Sequence, residues 1–443
     1  MFRHNKGAAS DSLLPLILAM ILGFPLTACS SNDTDNSRNA VDQKQSKDKG
    51  SRPFYMGFTP FHYSWVEDEI TKTYEMIYKH ADMMAYHFDE GVPWPEAYAN
   101  KPYHENVEKE LKHRKEMLRK GNKLYVATTP INFERKGLAD YWEKKEQVDR
   151  TGEWEDRELD DPKIIEAYTN YCIRLIETFD PTYFVYGVEV NLLAANDPKA
   201  YKQFQTLASK VYPALKKRYP NLPIALSFYL HGPDRFEQSR EHVKPLLPYT
   251  DLFAISTYPY MAYEADGYEV DDIPADWLQQ TKRLAPGKPF AIAENGYLAE
   301  DMKVLTKKMR NSEKDQKRYT ERMLREAAEL DAQFVVWFVV ADYDKLWGVL
   351  KWAVLFNPLM RAWKDTGLYD GDLEPRPALE VWDAWPAPPA QQCRPRAVGT
   401  RPRPMKAPRK TINAVFSLLP RLFFATVAMW GLAFAPMFFL PTA

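Results

Sequence analysis

Cysteine is almost absent: Cys29, Cys172 and Cys393 are the three in 443 residues. With no Cys-x-x-Cys among them, neither a disulfide scaffold nor a zinc–thiolate site is implied. The eight histidines include no His-Glu-x-x-His, so the ligand pattern of a metal-dependent amidase or deaminase is missing and no metal or other cofactor is expected. The net charge of −1 supplies no global field for nucleic acid, which is not an expected partner. A Gly-rich phosphate-binding turn is also lacking, since only Gly57 stands near the first apolar run. From Pro386 to the end there is no Asp or Glu.

The two ends read differently from the middle. Arg3, His4 and Lys6 precede an apolar stretch over 13–26, too short to span a bilayer and patterned as a secretory signal. Leu26-Thr27-Ala28-Cys29 follows and resembles the bacterial lipobox, which implies a signal over 1–29 and a diacylated, palmitate-bearing Cys29 as the first mature residue. Ser30 follows rather than Asp, which by the same resemblance implies the outer membrane in a Gram-negative cell. The expected location is therefore the bacterial cell envelope, lipid-anchored and facing the periplasm or the surface. Residues 30–51 are polar and charged, a flexible tether that cannot bury a core.

Beyond 52–386, the basic Pro/Arg-rich segment 387–413 holds Arg394, Arg396, Arg401, Arg403, Lys406, Arg409 and Lys410. Within the tail 414–443, an apolar run over 422–440 is long enough to span a bilayer. A basic linker before an apolar helix fits positive-inside anchoring. Translation past a lost stop codon produces the same composition, and both readings stay open.

Between 52 and 386 short apolar runs alternate with longer amphipathic segments. The expected strands are 54–59, 82–88, 124–129, 183–189, 224–230, 252–258, 290–294 and 334–340, nearly continuous in apolar character as parallel strands covered on both faces are. Asp161-Pro162 predicts a capped helix start, followed by a stripe of Ile165, Tyr168, Cys172, Leu175, Ile176 and Phe179. Ser312 with Asp315 predicts another, burying Tyr319, Met323, Ala327 and Leu330. Eight alternations predict an α/β fold, the (β/α)8 TIM barrel, with a doubly wound sheet as the alternative. A monomer is expected.

Glu189 and Glu294 each close an apolar run, in Tyr186-Gly187-Val188-Glu189-Val190-Asn191 and Ile292-Ala293-Glu294-Asn295-Gly296-Tyr297. By count they fall at the C-terminal ends of the fourth and seventh strands, the face where barrels of this kind carry their chemistry. With Ile255-Ser256-Thr257-Tyr258-Pro259-Tyr260 between them, these motifs resemble the retaining glycoside hydrolases of clan A, nearest to family 53, the endo-β-1,4-galactanases. The resemblance covers nearly all of 53–385 and implies Glu189 as acid/base and Glu294 as nucleophile. Retention requires the two carboxyls about 5–5.5 Å apart, one protonated and one ionised. A strand-end carboxylate paired with Lys or Arg is the structural alternative for each.

The resemblance further implies a Tyr at 258 touching the nucleophile and a tryptophan floor at Trp337. A packed aromatic at 258 and barrel filling by Trp337 are the alternatives. Asn directly before the acid/base is usual in the clan, where it binds the sugar 2-hydroxyl; here that position is Val188. Asn191 or Asn295 is a candidate substitute. Further sugar-binding candidates are His87 and Trp94 in the loop His87-Phe88-Asp89-Glu90-Gly91-Val92-Pro93-Trp94, and Tyr229 and His231 after the fifth strand. The late tryptophans Trp347, Trp352 and Trp363 read as packing. The expected partner is a β-linked polysaccharide or oligosaccharide, cleaved by double displacement. A catalytically weak or silent glycan-binding lipoprotein is the alternative that Val188 favours.

Overall fold

The computed structural model describes residues 52–262, 269–304, 307–348 and 358–387. The signal with Cys29, the tether, Trp352, Cys393, the basic linker beyond 387 and the apolar tail all lie outside them. Among the described residues no helix is long and apolar enough to cross a membrane.

Eight parallel strands close on themselves: β1 Tyr55–Phe58, β2 Met83–Phe88, β3 Lys123–Thr128, β4 Tyr183–Val185, β5 Ile224–Tyr229, β6 Phe253–Thr257, β7 Phe290–Asn295 and β8 Ala332–Trp337. β8 pairs with β1 from Tyr55↔Phe334 to Phe58↔Trp337, which leaves the barrel no edge. The fold is the (β/α)8 barrel, and the doubly wound sheet is excluded by that closure.

Helices follow the strands and cover the outside. Glu67–His80 follows β1, Glu105–Glu116 follows β2, Pro162–Phe179 follows β3 and Pro198–Arg218 follows β4. Phe236–Val243, Gln280–Leu284, Glu313–Glu329 and Pro377–Ala384 complete the ring. Their starts obey local chemistry: Asp161 accepts from the Lys163 amide at 2.7 Å, with Pro162 in the first turn. Ser312 accepts from the Asp315 amide at 3.3 Å while its hydroxyl donates to Asp315 Oδ2 at 2.6 Å. On the helix Pro162–Phe179 the buried stripe begins at Ile164, and Ile165 is only half-buried.

Strand alternation sorts the apolar side chains into two cores. One lies between sheet and helices. The other fills the barrel and includes Ala85, Tyr125, Ala127, Tyr183, Val185, Ala225, Ala254, Ala291, Phe334 and Val336. Alanines on β5, β6 and β7 make room for large rings from the opposite wall. The Tyr183 and Phe334 ring centroids are 4.7 Å apart, and those of Tyr125 and Phe334 are 5.4 Å apart. On β1, a Cβ at Gly57 would lie 2.8 Å from the Met83 carbonyl, so β1 needs glycine there.

Two strands end differently from expectation. β4 stops at Val185, but the chain keeps bonding to β5, with Tyr186 N to Ala225 O at 3.0 Å and Val190 N to Ser227 O at 3.1 Å. Glu189, at a φ of 51°, interrupts it. β7 carries a bulge: Ile255 faces Ile292 but the next residue, Ser256, faces Glu294. The same extra residue appears against β8, where Val335 pairs with Ile292 and Trp337 with Asn295.

After β8 the chain is locked by a buried ion pair. Asp342 accepts from Arg376 at 2.5 Å and from the Gly367 amide at 2.7 Å, and Arg376 also reaches Glu313 at 3.1 Å. Arg376→Met strands the Asp342 carboxylate and is expected to cost about 3–5 kcal/mol in urea unfolding at neutral pH. Burial already pushes the Asp342 pKa upward, so a neutral carboxyl is tolerated and the loss shrinks in acid. An undiminished midpoint at pH 7 would show that this pair does not hold the closing segment.

Candidate active site

The two irregularities just described set the site. In β4 the barrel-filling positions are Tyr183 and Val185, and Val188 joins the same interior core. Val188 is out of step with Tyr183 and Val185, so the chain has already lost the strand alternation, and the left-handed backbone at Glu189 then turns the next side chain into the barrel mouth as well. In β7 the bulge does the equivalent: Ala291 and Ala293 fill the barrel, and the inserted residue sets Glu294 beside Ser256 at the same level. Both glutamates are 0% exposed.

Each carboxylate has a side-chain donor, and the Ser256 hydroxyl further favours the ionised form of Glu189. Tyr258, the residue directly after β6, donates a short hydrogen bond from its phenol to Glu294 Oε1. Arg135 Nη2 donates to Glu189 Oε2 at 3.3 Å. Arg135 lies in the loop after β3, at a φ of 53°, where its own amide donates to the Asn132 carbonyl at 3.0 Å. Asn132 Oδ1 in turn accepts from the Lys136 and Gly137 amides at 2.9 and 3.2 Å, which pins the loop. The Glu189 amide donates to Ser227 Oγ at 3.1 Å. Around them stand polar atoms with no protein partner: Glu189 Oε1, Glu294 Oε2, both His87 nitrogens, both Asp89 oxygens and the Tyr125 hydroxyl.

Burial raises the pKa of both glutamates. Glu294 is pushed well above the ordinary range, first by burial and then by the charge of Glu189, with the Tyr258 phenol and, more weakly, the Arg135 guanidinium opposing. At Glu189 the Arg135 guanidinium offsets part of the burial effect. The pair therefore tends to hold one proton, with the negative charge drawn towards Arg135. That is the reverse of the resting arrangement that the resemblance implies.

The other expected site residues divide. His87 is in the mouth, with Nε2 3.8 Å from Glu294 Oε2 and Nδ1 3.8 Å from Asp89 Oδ2. Tyr229 is buried next to Glu189, whose charge adds to burial in raising its phenol pKa. His231, with its ring 5.0 Å from that of Tyr229, is held neutral by burial and by Arg235 and His242, with its pKa lowered to about 3. Asn191 is spent on the backbone: its Nδ2 donates to Tyr229 O at 2.9 Å and its Oδ1 accepts from Tyr229 N at 2.8 Å. Asn295 donates to the Val336 carbonyl at 2.6 Å and ties β7 to β8, while its Oδ1 has no partner.

Two expectations are corrected. Trp337 is no sugar floor, because Phe334 and Val336 take the inward positions of β8 and parity sends Trp337 outward. Its indole donates to Thr366 O at 2.8 Å and packs against Tyr319 and Trp382. Phe338 shares the inward parity and packs against Phe61, Tyr258 and Tyr343 at ring distances of 5.5, 6.4 and 6.3 Å. Trp94 is fully buried, donating to the Ala139 carbonyl at 3.0 Å, and supports the loop after β3 instead of meeting a ligand.

Arg135 and Phe338 were not legible as site residues. Arg135 sits in Asn132-Phe133-Glu134-Arg135-Lys136-Gly137, which carries no motif beyond turn-forming residues. A strict period-two count through β8 would have exchanged Trp337 for Phe338. One other acidic group, Glu300, Asp342 and Asp365, brings an oxygen of each within 4.8 Å, but both Asp342 oxygens already accept from Arg376 and Gly367.

No protein-family model matches the chain, and no curated protein sequence does. Solved structures do. An exo-β-1,4-mannosidase from Opitutaceae bacterium strain TAV5 superimposes with a TM-score of 0.52 at 14% identity, over 75% of this chain and 59% of that one. A substituted GH5_18 protein from Streptomyces cattleya, in complex with Manβ1-4GlcNAc, does so with a TM-score of 0.50 at 13% identity, over 76% of this chain and 82% of that one. The likeness is one of fold, and the chain spans under two thirds of the mannosidase.

Glu294→Gln removes a carboxyl that resists ionisation. Since the folded chain binds this proton more tightly than the unfolded one, the native carboxyl lowers stability as pH rises above the ordinary 4.5. The substitution is expected to raise Tm by roughly 2–4 °C at pH 7, with the gain vanishing towards pH 4. A Tm difference that does not vary with pH would contradict the raised pKa.

Proposed function

We propose that this chain is a retaining β-glycosidase that hydrolyses a β-linked oligosaccharide or polysaccharide by double displacement. The observation that carries the reading is the pair Glu189 and Glu294, fully buried at the mouth of an eight-stranded barrel, with Arg135 donating to the first and Tyr258 to the second. Burying two carboxylates within reach of each other's charge is costly for a structure that needs only packing. For a glycosidase it is useful, because one carboxyl must give a proton to the leaving oxygen while the other attacks the anomeric carbon.

In this mechanism Glu189 protonates the glycosidic oxygen as Glu294 attacks. The covalent glycosyl-Glu294 ester is then hydrolysed by water that Glu189 deprotonates. Tyr258 orients the nucleophile through Oε1 and leaves Oε2 without a protein donor. Arg135 favours a second reading with the roles exchanged, since a guanidinium beside Glu189 supports its ionised form. Val188 supports a third, a glycan-binding protein of weak or no activity: it fills the barrel interior, and Asn191, one candidate replacement for the usual asparagine, is bonded to the Tyr229 backbone.

Turnover of β-linked oligosaccharides by the wild type, Glu189→Ala and Glu294→Ala, with and without azide, distinguishes the three. Each substitution is expected to lower kcat/KM about 1,000-fold or more. Azide should restore Glu294→Ala as a glycosyl azide of inverted configuration. The same inverted product from Glu189→Ala would establish the exchanged roles, and undiminished turnover in either variant would end the two-carboxylate reading.

The lipobox resemblance supports an envelope lipoprotein anchored through Cys29. Cells fed labelled palmitate should incorporate it into the wild type and not into Cys29→Ala. A variant that lacks label yet stays with the membrane fraction would identify the apolar run at 422–440 as an anchor.

A further inference from the structure

Asp89 is exceptional among the buried carboxylates of the barrel. Glu90 pairs with Arg114, Glu326 with Arg322 at 2.7 Å, Asp342 with Arg376 and Glu189 with Arg135. The Asp89 side chain is only 5% exposed, and neither of its oxygens has a hydrogen-bond partner. The nearest positive candidate, His87, has its pKa lowered by burial, lies 3.8 Å away, and has both ring nitrogens unpartnered as well. At that distance no hydrogen bond forms. Leaving buried polar atoms unpaired costs about 1–3 kcal/mol per group and more for a charge.

The backbone beneath these side chains is nonetheless fixed. Arg114 Nη1 donates to the His87 carbonyl at 2.5 Å, and Gln147 Nε2 donates to the Asp89 carbonyl at 2.8 Å. The chain thus holds the two residues in place by their main chain and leaves their side-chain polar atoms for something else. Their neighbourhood is acidic. Asp89, Glu189 and Glu294 influence one another electrostatically, with Arg135 as the guanidinium among them. Arg114 lies beside Glu90 and Glu110, and both carboxylates bind it.

We propose that His87 and Asp89 form the hydroxyl-reading edge of this site, receiving neighbouring hydroxyls of a neutral sugar and excluding a uronate. The inference rests on the glycosidase reading and narrows it to a substrate class. Asp89 accepts from two sugar hydroxyls. His87, neutral, donates through one nitrogen and accepts through the other, and the gap between Nε2 and Glu294 Oε2 admits a hydroxyl that reaches both. A sugar carboxylate brought to the same edge meets Asp89, while the nearby guanidiniums of Arg135 and Arg114 are already paired with Glu189 and with Glu90 and Glu110. Like charges held together out of water repel strongly.

The test uses the full chain, Asp89→Asn and Asp89→Ser on p-nitrophenyl β-D-mannoside, glucoside, galactoside, xyloside and glucuronide. The wild type is expected to turn over at least one neutral glycoside about 100-fold faster than the glucuronide. Asp89→Asn should lose about 100-fold in kcat/KM on the neutral substrate and cut the neutral-to-uronate ratio about tenfold. Its Tm should hold or rise, because a buried unpaired charge is gone. A wild type that prefers the glucuronide, or a ratio unchanged in both folded variants, overturns the inference.

Calorimetric binding of mannobiose, cellobiose and cellobiouronic acid to Glu294→Gln, with and without Asp89→Asn, reads the same edge without turnover. If the wild type hydrolyses nothing yet neutral disaccharides bind in an Asp89-dependent way, the glycosidase reading falls and the substrate class stands. Equal binding of neutral and acidic disaccharides overturns the substrate class whatever the outcome of the activity assay.

Discussion

Two fully buried carboxylates within reach of each other's charge cannot both be ionised without large cost, and the rest of this site is arranged around that constraint. Glu189 and Glu294 repel each other, so one proton is held between them. The surroundings then decide where it rests. A guanidinium at Glu189 and a phenol at Glu294 compete for the negative charge, and the stronger donor lies on the Glu189 side. Catalysis of the kind proposed requires the opposite balance when the bond breaks. The developing charge on the sugar supplies it, because an anomeric carbon gaining positive character stabilises an ionised Glu294 in a way that Arg135 does not.

Bringing the two groups to one level required two local departures from a regular sheet. Each strand of the barrel alternates inward and outward, and in each of the two motifs the residue before the glutamate already faces inward. Val188 and Ala293 are both part of the barrel filling. Glu294 must therefore break step with its strand, and on β4 the step is broken between Val185 and Val188, so that Glu189 has to turn back inward after Val188. Glu189 does so with a left-handed backbone, Glu294 with an extra residue. Such devices are tolerated where the surroundings hold them, and here the β5 ladder grips both sides of Glu189 through Ser227.

This accounts for what could be read from the chain and what could not. The eight strands, the capped helices and the two glutamates were legible because each rests on local chemistry: apolar runs, an Asp-Pro start, a carboxylate at a strand end. β4 was read too long because its apolar run continues past Val185, where the strand ends, as far as Glu189. Trp337 was misplaced because a large aromatic at a strand end fits both faces, and only the register of β8 separates them. Arg135 was invisible for a different reason. Its value lies in a contact 54 positions away, set by a turn around Asn132 that has no periodic signature.

The distribution of unsatisfied polar groups carries the argument one step further. Outside the mouth buried carboxylates are paired with a cation, as Asp342 with Arg376 and Glu90 with Arg114 show. Inside the mouth the same chain leaves Asp89, His87, Tyr125 and one oxygen of each glutamate without a protein partner. Unpartnered polar atoms, such as those of Asn311 and Tyr171, occur elsewhere in the core, but among the described residues a carboxylate with both oxygens unpartnered occurs at Asp89 alone. In a chain that pairs its other buried carboxylates, the reason is local to this cavity. Ligand hydroxyls supply that reason, because they offer donors and acceptors together and carry no charge of their own. The stability forgone in the free protein is then recovered on binding, which links the weak point of the fold to its selectivity.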